Sequence, residues 1–103
     1  MDEKYEIVYL PLFYEDLDKI TDYIIFKLGN KIAAENLLDE IEEKINKRAY
    51  DPEGYEEYKS LKNRKYAYYR IYVKNYVVFY TVRDNIMEVS RILYSRRNFK
   101  KLI

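Results

Sequence analysis

The residues of this chain that could do chemistry are mainly its cations, and they are concentrated late in the sequence. Arg91, Arg96, Arg97, Lys100 and Lys101 follow one another with no acidic residue between them, although the chain of 103 residues has a formal net charge of only +1. Arginine and lysine side chains bind phosphate and carboxylate groups through charge-assisted hydrogen bonds or as point charges. The pattern therefore predicts contact with an anionic partner.

The same asymmetry divides the whole chain into two halves. Residues 1–58 contain 7 cations and 16 acids, a net charge of −9, whereas residues 59–103 contain 12 cations and 2 acids, a net charge of +10. A split of this kind is typical of a protein whose basic half binds nucleic acid or an acidic protein segment. The alternative is that the two halves form ion pairs with each other across the fold.

The residue types that are missing restrict the chemistry further. The chain has no Cys and no His, which excludes zinc fingers, cysteine nucleophiles and Ser-His-Asp triads, and its two glycines cannot form a phosphate-binding Gly-rich loop. Any proton transfer would have to use Lys, Arg, Tyr, Asp, Glu or the substrate itself. We expect no metal ion and no other cofactor. No apolar run approaches the roughly 20 residues of a membrane span, so we expect no membrane partner and a cytoplasmic location.

The elements that must position these cations can be read from the hydrophobic pattern. Residues 5–10 are rich in β-branched and aromatic side chains and indicate a strand, and Pro11 is a typical first residue of a helix. The helix that follows carries one apolar stripe at spacings of three and four residues, formed by Phe13, Leu17, Ile20, Ile24 and Leu28. Gly29 can end this helix, and Asn30 can cap a second amphipathic helix. The apolar pattern of the second helix ends near Arg48. Two such helices with a short joint predict an antiparallel helical hairpin.

Three strand-like runs make up most of the basic half. An acidic loop at 51–58 precedes them, and they occupy residues 66–73, 76–82 and 86–94. Because the gaps between them are hairpin-sized, they predict an antiparallel meander, and the first strand most simply joins an edge of the same sheet. The order β-α-α-β-β-β predicts a single α+β domain over residues 1–103, an antiparallel sheet covered on one face by the helical hairpin. Most late cations would then lie on the other face, at its rims and in the tail.

On this order of elements, three segments resemble the RelE/ParE superfamily, the toxins of type II toxin–antitoxin modules. They are PLFYEDLDKITDYI at 11–24, NYVVFYTV at 75–82 and VSRILYSRRNF at 89–99. RelE-like members cleave mRNA in the ribosomal A site, whereas ParE-like members block DNA gyrase and are not nucleases. The resemblance implies a growth-inhibiting toxin that is neutralised by a cognate antitoxin protein, in a possible hetero-oligomer with it.

Particular residues favour the ParE-like mode within that resemblance. The ending RILYSRRNF is similar to the ParE-like form R-V-L-H-G-R-R-D, with Tyr94 in the place of His. RelE-like nucleases often have an Arg after the Tyr that opens the third strand, but here Val77 follows Tyr76. The resemblance therefore implies a DNA gyrase inhibitor, with a ribosome-dependent mRNA interferase as the alternative. A non-toxic nucleic-acid-binding module, which needs only the basic face, is a second alternative.

The candidate site residues form two groups. If the chain is an enzyme, it would be a metal-independent endoribonuclease whose catalytic residues are Arg70, Arg91 and Tyr94. Arg91 has an alternative as a structural ion pair with a helical acid, and Arg70 as an internal stacking partner of the tyrosines on its face. The candidates for binding the target or nucleic acid are Arg64, Lys65, Arg96, Arg97, Phe99, Lys100 and Lys101.

Overall fold

The helical half begins directly after a short first strand. In the structure, a computed structural model that describes residues 3–59, 65–98 and 102–103, strand β1 spans Glu6–Tyr9. Helix α1 spans Pro11–Asp22 and continues into a π-helical turn at Tyr23–Lys27, and helix α2 spans Lys31–Arg48. The predicted helical hairpin and the role of Pro11 as its first residue are confirmed.

The joint between the two helices follows the chemistry expected of its residues. Gly29 has a φ of +63°, a left-handed conformation that residues with a Cβ rarely adopt. The side chain of Asn30 caps α2, because its Oδ1 accepts a hydrogen bond from the backbone N–H of Ala33 at 3.0 Å. Both residues thus do what the sequence predicts.

The sheet contains the three predicted late strands and one short strand that the sequence does not reveal. Strands β3, β4 and β5 span Tyr68–Val73, Tyr76–Arg83 and Ile86–Tyr94. The prediction of a continuous loop at 51–58 is wrong, because Glu57–Tyr58 forms a two-residue strand β2 that pairs with β3. The order across the sheet is β1-β5-β4-β3-β2.

The prediction of a wholly antiparallel sheet is also wrong. β1 lies at the edge of the sheet, as expected, but it runs parallel to β5, with Glu6 opposite Ile86 and Tyr9 opposite Val89. A parallel neighbour requires a long crossover connection, and the helical hairpin and meander between β1 and β5 provide one. The sheet is therefore mixed, within an α+β fold.

The two faces of the sheet are both largely apolar at their centres. The helical face packs β3, β4 and β5 against buried helix residues that include Leu37, Ile41 and Ile45. On the opposite face, which we call the open face, Val77, Phe79 and Leu93 form a second buried cluster with Ile103. Ile103 is only 1% exposed, so it covers apolar surface on the face where the sequence placed most cations.

The end of α2 is tied to the sheet through a buried tyrosine. Arg48 Nη1 donates hydrogen bonds to the backbone carbonyl of Arg70 at 2.9 Å and to the hydroxyl of Tyr80 at 3.0 Å. The Tyr80 hydroxyl donates in turn to the carbonyl of Pro52 at 2.7 Å, and the Arg48 guanidinium lies 3.5 Å from the centre of the Tyr55 ring. These contacts hold α2, the loop after it and β4 together.

We expect this buried tyrosine to make the fold sensitive to alkali. Burial raises the pKa of Tyr80 to about 12, although the hydrogen bond from Arg48 acts in the opposite direction. A tyrosine in the unfolded chain has a pKa of about 10, so the unfolded state loses this proton first as the pH rises. The contribution of Tyr80 is therefore fully present below about pH 10 and falls by about 2 kcal/mol as the pH rises to about 12.

Urea unfolding between pH 9 and 12 measures this effect, with Tyr80→Phe as the control because it removes the ionisable hydroxyl. The difference in unfolding free energy between the two proteins should shrink as the pH rises above about 10. Parallel stability curves for the two proteins over that range would contradict the prediction.

Candidate functional site

Arg91 is held by an acid of the helical half. Its Nε and Nη2 donate hydrogen bonds to the two carboxylate oxygens of Asp16 at 2.7 and 2.9 Å, and the backbone N–H of Ile92 donates to Asp16 Oδ2 at 3.2 Å. The side chains of Arg91 and Asp16 are only 15% and 8% exposed. These hydrogen bonds raise the pKa of Arg91 although burial acts against that. Of the two alternatives stated for Arg91, the structure contains the ion pair with a helical acid.

Arg70 lies on the open face among aromatic rings. Its guanidinium is 5.1 Å from the ring centre of Tyr58 and 5.9 Å from that of Tyr72, and its nearest carboxylate is that of Glu56, at 3.7 Å. Glu56 is 86% exposed, so water screens this ion pair. Arg70 therefore makes the stacking contacts of its alternative interpretation, but its charge is not neutralised as that of Arg91 is.

The side chain of Tyr94 lies on the opposite face of the sheet from that of Arg70. It lies opposite Tyr76 in the register, and the two rings meet edge to face with their centres 5.9 Å apart. Tyr76 packs against the core of the helical face, and both tyrosines line a groove with Ile20 and Tyr23 of the helical hairpin. Tyr94 is thus on the side of the sheet that the helices cover.

The three catalytic candidates do not form one cluster. Arg70 and Arg91 both lie opposite Phe79, which separates them on the open face, and Arg91 turns to α1. Tyr94 follows Arg91 by three residues along β5, which corresponds to about 10 Å. The Tyr94 side chain is also on the opposite face of the sheet from that of Arg70. A substrate on the open face could contact Arg70 but would not also meet Tyr94.

The two cations that follow β5 lie beside the turn between β3 and β4, and this turn carries a third cation. The backbone N–H of Ser95 donates to the carbonyl of Asn75 at 2.7 Å, which brings Arg96 and Arg97 next to the turn between β3 and β4. Lys74, at the start of that turn, has a φ of +52°. We call Lys74, Arg96 and Arg97 the basic end. All three are exposed, and none has a salt-bridge partner among the described residues.

The other predicted binding residues are not part of this basic end as described. Lys65 is exposed and lies 5.5 Å from the ring centre of Tyr66, but it precedes β3 and is therefore at the opposite end of that strand. Arg64, Phe99, Lys100 and Lys101 lie outside the described residues. Lys74 was not among the candidates, because its proximity to Arg96 depends on a contact between two turns that local sequence patterns do not report.

Two further features, a metal-ligating cluster and a membrane-spanning helix, are absent from the described part of the chain. In residues 3–59, 65–98 and 102–103, no three His, Cys, Asp or Glu side chains come together in a way that could hold a metal ion. No helix in the same residues has both the length and the apolar character needed to cross a bilayer.

The chain matches a known protein family. A family model described as "ParE toxin of type II toxin-antitoxin system, parDE" matches residues 7–99. This range includes all of β1 except Glu6, the helical hairpin, the whole meander and the basic end. No protein among the curated ones matches the chain.

Proposed function

Because the chain belongs to the ParE toxin family of type II toxin–antitoxin systems, we propose that it inhibits DNA gyrase in the cytoplasm until its antitoxin neutralises it. Membership of the family itself implies a cognate antitoxin as partner. The choice of gyrase over the ribosome as the target rests on the contacts of the candidate residues.

The observation that carries this choice is the engagement of Arg91 by Asp16. A nuclease of this size without His must assemble its catalytic set from Arg, Lys and Tyr side chains that reach one phosphate. Here Arg91 has both carboxylate oxygens of Asp16 as partners, and Tyr94 lies on the opposite face from Arg70. The arrangement favours a protein that acts by binding rather than by cleaving RNA.

The exposed cations of the basic end also support a binding function. Lys74, Arg96 and Arg97 are exposed cations without salt-bridge partners in the described residues, so they can meet an anionic surface without breaking an internal ion pair. Exposed cations steer association and contribute to affinity when the partner carries the opposite charge. Gyrase bound to DNA presents such anionic surface.

RelE-like cleavage of mRNA is the second candidate, and the surroundings of Arg70 favour it. A cation between Tyr58 and Tyr72 on one face of a sheet suits a phosphate and the bases that flank it. In that case Arg70→Ala should abolish cleavage.

A parallel pair of assays with the purified chain tests the proposal. In a gyrase supercoiling assay we expect loss of supercoiling and accumulation of cleaved DNA, both reversed when the antitoxin is added. Primer extension on a translated reporter mRNA should show no new cuts, and Arg70→Ala should inhibit gyrase as the unmodified chain does. Ribosome-dependent cuts that disappear in Arg70→Ala, together with unaffected gyrase, would overturn the proposal in favour of the nuclease. Salt-sensitive binding to free nucleic acid with neither activity would favour a non-toxic binding module.

A further inference from the structure

A groove lies between the helical hairpin and the end of strand β5. We call it the tyrosine groove; its lining includes Lys19, Tyr23, Leu28, Asn75, Tyr76 and Tyr94. Its volume of about 560 Å³ is within the roughly 300–1,000 Å³ of sites for small molecules. Tyr23 and Tyr94 are 53% and 43% exposed, so a ligand can reach both rings from solvent.

Three tyrosine side chains come together in this groove. The rings of Tyr76 and Tyr94 meet edge to face, with their centres 5.9 Å apart. Burial raises the pKa of Tyr76, and the neighbouring Tyr94 and Tyr23 raise it further, as expected when the three phenol oxygens lie close together. The Tyr76 hydroxyl is therefore protonated at neutral pH and can donate a hydrogen bond. The groove thus offers flat aromatic faces beside a hydrogen-bond donor.

The π-helical turn after α1 positions two of the lining residues. The backbone N–H of Leu28 donates to the carbonyl of Tyr23 at 3.1 Å, a hydrogen bond that is one residue longer than those of an α-helix. Lys19 precedes Tyr23 by four residues, so the two side chains lie on the same side of the helix. Single π-helical turns within helices are frequent at functional sites. Here the turn forms one wall of the tyrosine groove.

The charges around the tyrosine groove are positive. Lys19 is exposed and has no salt-bridge partner among the described residues. The basic end adjoins the groove, because Asn75 of the lining directly follows Lys74. The carbonyl of Asn75 also accepts a hydrogen bond from the N–H of Ser95, which precedes Arg96. No acidic residue lines the groove in the part of the chain that the structure describes, so its electrostatic environment favours an anion.

We propose that the tyrosine groove binds a nucleotide, with the base stacked on the ring of Tyr94 and the phosphate beside Lys19. The tyrosine faces suit a flat aromatic ring, and the cations suit a phosphate, so a nucleotide satisfies both. A cationic ligand would also suit the tyrosines, but the surrounding cations would repel it. The nucleotide is either free or the end of a single nucleic-acid strand, because both present the same base and phosphate. The inference does not depend on whether gyrase is the target.

NMR titration of the isotope-labelled chain with adenosine 5′-monophosphate tests the location. Tyr94→Ala should raise the Kd by about 10-fold or more because a stacking face is lost, whereas Tyr94→Phe, which keeps the ring, should stay within about threefold. Tyr50→Ala is the matched control, since Tyr50 is 52% exposed and lies 5.9 Å from Lys4 but does not line the groove. Its Kd should stay within about twofold of that of the unmodified chain. Equal Kd values for Tyr94→Ala and Tyr50→Ala, or no saturable shifts below about 5 mM nucleotide, would overturn the proposal.

Two further ligands test the phosphate contact and distinguish the sources of the nucleotide. Adenosine, which lacks the phosphate, should bind at least about threefold more weakly than the monophosphate, and Lys19→Gln should reduce this difference. Adenosine that binds as tightly as the monophosphate would refute the assignment to a nucleotide. A single-stranded pentanucleotide with a 5′-phosphate that binds at least about 10-fold more tightly than the monophosphate, and is equally sensitive to Tyr94→Ala, would assign the groove to a strand end, whereas equal or weaker binding would assign it to a free nucleotide. These measurements use binding alone, so a failure of gyrase inhibition would leave them interpretable.

Discussion

Replacing Asp16 with alanine is expected to lower the free energy of unfolding by about 3–5 kcal/mol. The carboxylate accepts three hydrogen bonds, two from the Arg91 guanidinium and one from the N–H of Ile92. Its removal leaves the Arg91 charge, only 15% exposed, without a partner, and leaves the N–H at the edge of β5 unpaired. Since small domains are stable by only about 5–15 kcal/mol, this variant should be close to unfolding at physiological temperature.

Urea denaturation of matched variants measures the effect. Asp18→Ala removes the same charge from an exposed position of the same helix, and we expect a change within about 0.5 kcal/mol. Asp16→Asn retains an oxygen that can accept from Ile92, so it should lose less than Asp16→Ala. If Asp16→Ala and Asp18→Ala were equally stable, Asp16 would not be the link between α1 and β5.

The helices and strands that the sequence predicts correctly are those whose signals come from residues close together in the chain. Gly29 and Asn30 end one helix and cap the next, and the spacing of apolar residues along α1 depends only on helix geometry. The three late strands are predictable for the same reason, because the alternation of side chains and the hairpin-sized gaps each involve residues close together in the sequence. The sequence does not predict the continuation of α1 into a π-helical turn at Tyr23–Lys27, because no periodic signal distinguishes such a turn from an α-helix.

The contacts that organise the candidate site are non-local. The sequence offered an ion pair of Arg91 with a helical acid as an alternative, but it did not identify Asp16 as that acid. Asp16 and Arg91 are 75 residues apart, and helix-dipole reasoning explains acids early in α1 without identifying a distant partner. The same is true of Arg48, whose bond to Tyr80 spans 32 residues. The parallel direction of β1 also depends on the long crossover rather than on the residues of β1 themselves.

The charge split of the sequence does not show where the late cations lie in the folded chain. Some of the late cations form salt bridges within the fold, since Arg91 pairs with Asp16 and Arg83 pairs with Glu88. The centre of the open face is apolar, and Ile103 packs on it. The exposed cations that remain in the described residues are therefore spread over the ends of the sheet, and only the basic end brings several of them together.

Reversing both arginines of the basic end, in the double variant Arg96→Glu/Arg97→Glu, is expected to raise the concentration needed to inhibit gyrase by about 100-fold. The reason is that two exposed cations without salt-bridge partners in the described residues become two anions that repel an anionic target. The gyrase supercoiling assay gives this concentration directly.

A second double variant separates the position of the charge from its amount. Lys31→Glu/Lys47→Glu changes the net charge of the chain equally, but both lysines lie on α2, and both are exposed. If the basic end contacts the target, this control should inhibit gyrase within about threefold of the unmodified chain. Equal losses in the two double variants would mean that net charge alone governs the encounter. No loss in either would place the target-binding surface away from Arg96 and Arg97. The next surface to test would then be the exposed apolar residues around the joint between the helices, namely Phe26, Leu28 and Ile32.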